Sequence, residues 1–231
     1  MELSKRLQAV ADLVTTGYRV ADIGTDHGYI PIWLVENEKI PSAVAMDINR
    51  GPLEKARDHV AAHGLEGYIA TRLSDGMEKL EQEEVQSVVI AGMGGALVIR
   101  ILEAVKEKEL GIQEWILQPQ SELRKVRTYL QESGYQVVAE NMVLDDGKYY
   151  PMMKVIKGKE ECSTEAELCY GKLLLRTKHP VLKEFLQREL RMKTDILERL
   201  CVASGESAAK RAGELKEEIA VIQEALKSYA L

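Results

Sequence analysis

Cysteine and histidine are scarce in this sequence, which limits the disulfide and metal chemistry it can support. Three cysteines, Cys162, Cys169 and Cys201, occur without a Cys-x-x-Cys pair, so neither a disulfide framework nor a zinc site is predicted. Among the 4 histidines, His59 and His63 have the i, i+4 spacing that can present two metal ligands on a helix. No third ligand accompanies them, so we predict no metal site and an ordinary surface helix face.

The sequence also lacks any apolar run long enough to cross a membrane. Its longest run, residues 88–99, contains three glycines, and it falls short of the ~18 residues that a spanning helix needs. The N-terminal residues mix charges with apolar residues at helical spacing, unlike the apolar core of a secretory signal. We therefore predict a cytoplasmic protein with no membrane partner.

Charge is distributed unevenly along the 231 residues. The net charge is −6 overall, but the first 156 residues carry −7 and the remainder carries +1. Within the second part, residues 172–193 contain seven lysines and arginines against two glutamates, a local excess of +5. A polyanion could bind there despite the acidic total, and a solvated helix face is the alternative interpretation.

The first 156 residues alternate short β-branched runs with amphipathic stretches, which predicts an α/β fold with a parallel sheet covered by helices. Strands are predicted at residues 19–23, 43–47, 68–72, 87–91 and 114–118. Helices are predicted near residues 30–37, 52–63, 96–108 and 121–133. Two further extended runs, 135–144 and 148–156, are joined by Asp-Asp-Gly and predict an antiparallel hairpin that closes the sheet.

The composition changes after Gly158 to a helix-rich segment, which predicts one domain over residues 1–158 and a second over residues 159–231. Apolar residues from Ala208 to Tyr229 repeat at alternating spacings of four and three, which is a heptad seam. The preceding helix has a similar but imperfect register, and residues 201–207 can reverse the chain. We predict an antiparallel, coiled-coil-like helical hairpin in a monomer, with dimerisation through the seam as the alternative.

A glycine turn follows the first predicted strand, with the sequence Asp-Ile-Gly-Thr-Asp-His-Gly at residues 22–28. Glycines at such a turn let the backbone approach a ligand at the carboxyl end of a parallel strand, where open α/β sheets bind cofactors. The turn is not the G-x-G-x-x-G dinucleotide fingerprint, because Asp26 stands where a glycine is required and would repel a pyrophosphate. An acid at this place suits a cationic, amine-bearing cofactor.

Acidic residues also follow the next two predicted strands. Asp47, at the end of the second strand, can accept hydrogen bonds from both hydroxyls of a ribose, and Asp75, after the third, can bind an adenine amino group. Each acid alone is equally explained as a helix cap or a turn residue, but acids at three successive strand ends favour an adenosine cofactor. After the fourth strand, Gly-Met-Gly-Gly at residues 92–95 exposes backbone at the cleft floor, and Gln-Pro-Gln at residues 118–120 ends the fifth strand at the same edge.

Together these motifs resemble the seven-stranded S-adenosylmethionine-dependent methyltransferases. The turns at residues 22–28 and 92–95, with the helical C-terminal hairpin, resemble the bacterial tRNA (adenine-N1)-methyltransferases that modify position 22 in the D-arm. The resemblance covers nearly the whole chain and implies a Rossmann-like fold, S-adenosyl-L-methionine as cofactor and tRNA as partner. It further implies that Asp22, Gly24, Asp26 and His27 line the methionine end of the cofactor, and that Asp47 and Ile48 line its ribose. By the same resemblance Asp75, Gly76 and Met77 line the adenine, and Gly92 lies at the cleft floor.

The same resemblance bears on the atom that is methylated. Enzymes of this class that act on the adenine amino group carry an (Asp/Asn)-Pro-Pro-aromatic turn after strand four, and this chain has Gly-Met-Gly-Gly there. The ring nitrogen N1 is therefore the better target, and since its lone pair is nucleophilic while neutral, alignment matters more than a general base. Tyr29, just past the first glycine turn, is the candidate for contacting the base, although it could equally pack as the first residue of a helix. We predict catalytic roles for Tyr29 and Asp26.

The target base must leave its stack to reach the pocket, so the enzyme has to hold folded RNA through its phosphates and its shape. The predicted RNA contacts are Met93, Pro119, Gln120, Arg124, Lys125 and Arg127 near the cleft, and Lys172, Arg176, Lys178, Lys183, Arg188 and Arg191 in the basic segment. Two alternatives remain open. One is an NAD-dependent oxidoreductase, which shares the fold but lacks its fingerprint here, and the other is a non-catalytic RNA-binding protein.

Overall fold

The computed structural model describes residues 1–106, 108–159, 161–201 and 206–230. The chain divides into two compact units, Met1–Glu161 and Cys162–Leu231. The change in composition after Gly158 lies close to this division, and the roles predicted for the two parts remain predictions.

The first unit contains a seven-stranded sheet with helices between its strands. Its elements are, in chain order, α1 (Lys5–Leu13), β1 (Val20–Ile23), α2 (Tyr29–Glu36), β2 (Ala43–Asp47), α3 (Arg50–Ala62), β3 (Ile69–Leu73), β4 (Ser87–Met93), α4 (Gly95–Glu103), β5 (Glu114–Pro119), α5 (Leu123–Glu132), β6 (Tyr135–Asp145) and β7 (Lys148–Lys157). The strand order is β3-β2-β1-β4-β5-β7-β6, and β7 runs antiparallel to β5 and β6 while the other pairs are parallel. The predicted Rossmann-like sheet, closed by a hairpin, is confirmed.

The parallel part of the sheet is buried on both faces, as its nearly continuous apolar strands require. Successive side chains of a strand point to opposite faces. Accordingly, Val88 and Ile90 of β4 belong to one hydrophobic core, while Val89 between them belongs to the other. The order of the strands reverses between β1 and β4, and a crevice forms at the carboxyl ends of such neighbours.

The second unit is helical over its described residues, with α6 (Glu165–Tyr170), α7 (Lys172–Arg176), α8 (Pro180–Cys201) and α9 (Glu206–Lys227). The Tyr229 hydroxyl, just after α9, donates to the His179 carbonyl before α8 at 3.0 Å, and Lys193, later in α8, pairs with Glu218, earlier in α9. These contacts make α8 and α9 antiparallel. The predicted reversal at residues 201–207 lies largely outside the described residues, and coiled-coil packing and a monomeric state remain predictions.

Candidate active site

The loops that follow β1, β2 and β3 lie side by side at the carboxyl edge of the sheet. The backbone amides of Gly24 and Thr25 donate to the Met46 carbonyl at 2.8 and 2.9 Å, and the Ser74 amide donates to the Asp47 carbonyl at 2.9 Å. Because parallel strands deliver their ends to one edge, the three acidic loops identified in the sequence are neighbours in space.

Asp22 lies within β1 at this edge and is 6% exposed. Burial raises the pKa of its carboxyl from 3.8 to about 6, and the negative charge of Asp47 raises it further, while the nearby Thr25 hydroxyl acts in the opposite direction. Removal from water disfavours the charged form, and a neighbouring negative charge disfavours it further. A cationic group placed beside Asp22 would therefore stabilise its ionised form.

Asp47 offers a second carboxylate at the same edge. It is half-buried, and its Oδ1 accepts a hydrogen bond from the Asn49 amide at 2.6 Å. No other described residue donates to this carboxylate, so Oδ2 can accept from a ligand hydroxyl. The neighbouring Ile48 side chain is 56% exposed and offers an apolar surface beside it.

The loop after β3 presents its side chains differently. Asp75 pairs with Arg100 of α4 at 3.0 Å, and both side chains are exposed. The Met77 side chain is 1% exposed and belongs to the hydrophobic core, so only its backbone can serve the predicted adenine contact. Gly76 has a φ of +52°, and a Cβ there would lie 3.2 Å from Ile101, which explains the glycine.

The residues of the second glycine turn, 92–95, have different structural roles. Gly92 has a φ of +78° beside a register shift in β4, and its amide donates to Gln118 Oε1 at 3.1 Å. A Cβ at Gly95 would lie 2.5 Å from a backbone oxygen of the loop before α5, so this glycine permits close packing. Met93 covers the first turn, since a Cβ at Gly24 would meet the Met93 Cε at 2.0 Å.

Three aromatic rings stack beside the first glycine turn. The His27 and Tyr29 rings are nearly parallel with centroids 5.2 Å apart, and the His59 ring of α3 lies 5.2 Å from His27 and 5.5 Å from Tyr29. His27 has a left-handed φ of 62°, a conformation that costs a non-glycine residue about 1–2 kcal/mol. The His27 carbonyl lies 3.0 Å from His59 Nδ1, and since a carbonyl can only accept, that nitrogen carries the proton.

The placement of His59 corrects one prediction and supplies a residue that sequence reasoning missed. We predicted an ordinary surface helix face there, but the half-buried His59 ring stacks on the rings of His27 and Tyr29. Asp26 and Tyr29, the predicted catalytic residues, both contact His27: Asp26 Oδ1 lies 3.2 Å from His27 Nε2, and Tyr29 stacks on the ring. Asp26 is exposed and Tyr29 is half-buried.

Of the six predicted RNA contacts of the first unit, Met93 is half-buried and covers the first glycine turn, and the other five separate into two groups. Three of them are exposed polar side chains, namely Gln120, Arg124 and Lys125. Arg127 is 6% exposed and pairs with the fully buried Glu140 at 2.9 Å, and Pro119 is buried within β5. Both of these predictions are wrong, because neither side chain reaches a surface that RNA could contact.

The basic segment of the second unit is mostly exposed. Its exposed members are Arg176, Lys178, Lys183, Arg188 and Arg191. Lys172 is half-buried, and Lys193 pairs with Glu189 and Glu218. The positive charge offered to solvent is therefore smaller than the sequence count suggests.

Sequence reasoning also missed Arg6 of α1. Its Nη1 donates to Gln118 Oε1 at 3.2 Å, which brings a guanidinium to the end of β5. The helical spacing of the N-terminus predicted a helix, but no pattern showed which side chain would reach the sheet edge. Among the described residues no group of three or more metal-binding side chains occurs, and no helix there is long and apolar enough to cross a bilayer.

Comparison with known proteins gives consistent matches. The family model described as tRNA (adenine(22)-N(1))-methyltransferase matches residues 20–224. The chain is 34% identical over 232 residues to the Bacillus subtilis tRNA (adenine(22)-N(1))-methyltransferase, covering 98% of each chain. It is similar to Streptococcus pneumoniae Sp1610 in complex with S-adenosyl-L-methionine (TM-score 0.87, 35% identity, 97% of this chain and 100% of that chain). It is also similar to M. capricolum TrmK in complex with S-adenosyl-homocysteine (TM-score 0.85, 29% identity, 99% of each chain).

Proposed function

Because the chain belongs to the tRNA (adenine(22)-N(1))-methyltransferase family, we propose that it transfers the methyl group of S-adenosyl-L-methionine to N1 of adenine 22 in the D-arm of tRNA. The observation that carries the proposal is the meeting of three acidic loops at the carboxyl edge of the sheet. Such an edge suits an adenosine cofactor that carries positive charge.

The residues at this edge fit that cofactor. The buried Asp22 carboxyl, with its pKa raised to about 6, would face a positive charge that lowers this pKa again. Asp47 Oδ2 would accept from a ribose hydroxyl. When bound, S-adenosyl-L-methionine supplies the sulfonium methyl group.

Methyl transfer to N1 requires little acid–base catalysis from the protein. The N1 lone pair of adenine forms the new nitrogen–carbon bond as the carbon–sulfur bond breaks, and the bonding electrons remain on sulfur. N1 of neutral adenine carries no proton, so no base is required, and the ring gains positive charge. The exposed Asp26 carboxylate would stabilise that charge, and Tyr29, held in its ring stack, would contact the face of the base.

Phosphate contacts would hold the RNA. In the first unit the exposed side chains of Gln120, Arg124 and Lys125 would make these contacts, with Lys125 also paired to Glu122. In the second unit the exposed lysines and arginines of residues 176–191 would make them. We assign cofactor binding to residues 1–158 and RNA binding to residues 159–231. A cytoplasmic location and a monomeric state belong to the same proposal.

The test is methylation of defined RNA. The protein is incubated with S-adenosyl-L-methionine and an unmodified tRNA transcript carrying A22, and the digested nucleosides are analysed by mass spectrometry. We expect 1-methyladenosine from this transcript and none from a matched transcript with G22. Equal yields from both would contradict the position, and a different methylated nucleoside would contradict the acceptor atom.

A thermal-shift assay separates the alternative functions. Stabilisation by S-adenosyl-homocysteine but not by NAD agrees with the proposal, because the Asp26 turn opposes a pyrophosphate. Stabilisation by NAD alone would instead support the oxidoreductase. Binding of tRNA without binding of either cofactor would support a non-catalytic RNA-binding protein.

A further inference from the structure

The second glycine turn, residues 92–95, is held at its start by β5 and the residue that follows it. The Gly92 amide donates to Gln118 Oε1 at 3.1 Å. The Gln120 amide donates to the Met93 carbonyl at 2.8 Å. The first half of the turn is therefore tied to the neighbouring strand by one side-chain and one backbone hydrogen bond.

The end of the same turn is capped by the next two side chains of that segment. Ser121 Oγ accepts from the Gly95 amide at 3.2 Å, and Glu122 Oε2 accepts from the Ala96 amide at 3.2 Å. These amides belong to the first turn of α4, where backbone donors have no partner within the helix. The N-cap residue of α4 is Gly94, which has no side chain to cap them. The loop after β5 therefore supplies the caps that α4 cannot supply for itself.

Glu122 is fixed in position by both its backbone and its side chain. Its φ of +53° lies in the left-handed region, which is unfavourable for a residue other than glycine. Its carbonyl accepts from the Val126 amide at 3.0 Å, and Lys125 Nζ donates to its Oε1 at 2.5 Å. Lys125 and the Ala96 amide hold the pKa of the Glu122 carboxyl below its usual range. One ionised residue thus joins the start of α4 to the start of α5.

The turn held in this way lies against the first glycine turn and exposes its own backbone. A Cβ at Gly24 would lie 2.0 Å from Met93 Cε, so the Met93 side chain touches the first turn. Gly92 and Gly94 are exposed, and the Gly-Met-Gly-Gly sequence has no polar side chain that could orient a base. Methyl transfer to N1 depends on alignment, and a misplacement of about 1 Å can cost about a hundredfold in rate.

We propose that Ser121 and Glu122 are positioning residues for methyl transfer, which hold the second glycine turn in the arrangement that aligns the target base with the cofactor. The inference rests on the proposed function. Neither residue is assigned a contact with the reactants, because both act through the backbone of the turn.

The experiment compares Glu122→Ala and Glu122→Gln with Glu132→Ala, which removes the same charge from an exposed position at the end of α5. Release of S-adenosyl-homocysteine measures kcat and the KM for the tRNA transcript, and calorimetry measures the Kd of S-adenosyl-homocysteine. Hydrogen exchange with mass spectrometry follows the amides of residues 92–97 in the protein alone. Melting temperatures establish that each variant is folded, and Ser121→Ala provides a second variant if Glu122→Ala does not fold.

We expect Glu122→Ala to lower kcat by about tenfold, while the Kd of S-adenosyl-homocysteine and the KM for tRNA stay within about twofold. Glu122→Gln should regain most of kcat, because its amide oxygen can still accept from the Ala96 amide. Exchange of residues 92–97 should be about fivefold faster in Glu122→Ala than in Glu132→Ala, since a capping hydrogen bond is lost.

The inference is overturned if kcat of Glu122→Ala matches that of Glu132→Ala, or if Glu122→Gln is as slow as Glu122→Ala. An equal loss of affinity for S-adenosyl-homocysteine would also overturn it, since the defect would then lie in cofactor binding. Release of S-adenosyl-homocysteine does not depend on which adenine is methylated, so failure of the A22 assay leaves kcat readable. Unchanged hydrogen exchange would contradict the inference whatever the activity.

Discussion

Replacing Asp22 by asparagine should stabilise the protein without its cofactor. A carboxyl pKa raised from 3.8 to about 6 means that the charged form costs the folded state roughly 3 kcal/mol at pH 7. The sign follows from proton binding: the folded state holds this proton more tightly, so the cost is full above pH 6 and disappears as the pH falls toward 3.8. Asparagine keeps the shape and removes the charge. We expect the gain on Asp22→Asn to be about 3 kcal/mol at pH 7 and about 1.5 kcal/mol at pH 5.

Urea unfolding at the two pH values, without cofactor, measures this gain directly. Asp58→Asn on the exposed face of α3 is the matched control and should change stability by less than about 0.5 kcal/mol. The same Asp22→Asn protein should bind S-adenosyl-homocysteine more weakly, since the buried charge would be absent. A variant that is less stable than the wild type at pH 7, or a gain that does not shrink at pH 5, would refute the reasoning.

Three further outcomes are expected. Tyr29→Ala should lower kcat by about tenfold or more while the Kd of S-adenosyl-homocysteine stays within about twofold, because the ring is assigned to the base; equal loss of both would reassign it. His59→Phe should retain more of kcat than His59→Ala, since a ring remains in the stack, with His63→Ala as the control; equal rates would show that stacking is irrelevant. Arg127→Met should cost about 3–5 kcal/mol in urea unfolding because the fully buried Glu140 carboxylate loses its ion pair with Arg127, and addition of Glu140→Gln should recover part of that loss.

The sequence predicted features that depend on local pattern and on strand order. The seven strands were predicted from β-branched runs that alternate with amphipathic stretches and from the turn residues between them. The acidic loops meet because parallel strands end at one edge of the sheet. The errors depend on distant partners instead. Arg127 is buried because Glu140 lies opposite it on β6, and His59 stacks because α3 packs against the first glycine turn. Strand β4 extends beyond its predicted end at residue 91 because Met93 pairs with Pro119 of β5 after a register shift, and the Gln120 amide donates to the Met93 carbonyl at 2.8 Å.

The charges of the first unit also account for RNA binding by an acidic protein. Its first 156 residues carry −7, which would repel tRNA if that charge faced the substrate evenly. At the cleft, however, Asp22 of β1 is buried and Asp47 at the end of β2 is half-buried beside the proposed cofactor site, where a cationic ligand offsets them. The β4–β5 side of the same edge presents the Arg6 guanidinium. Binding of the cofactor would therefore make the cleft less negative before RNA arrives, so tRNA should bind more tightly to the complex with S-adenosyl-L-methionine than to the protein alone.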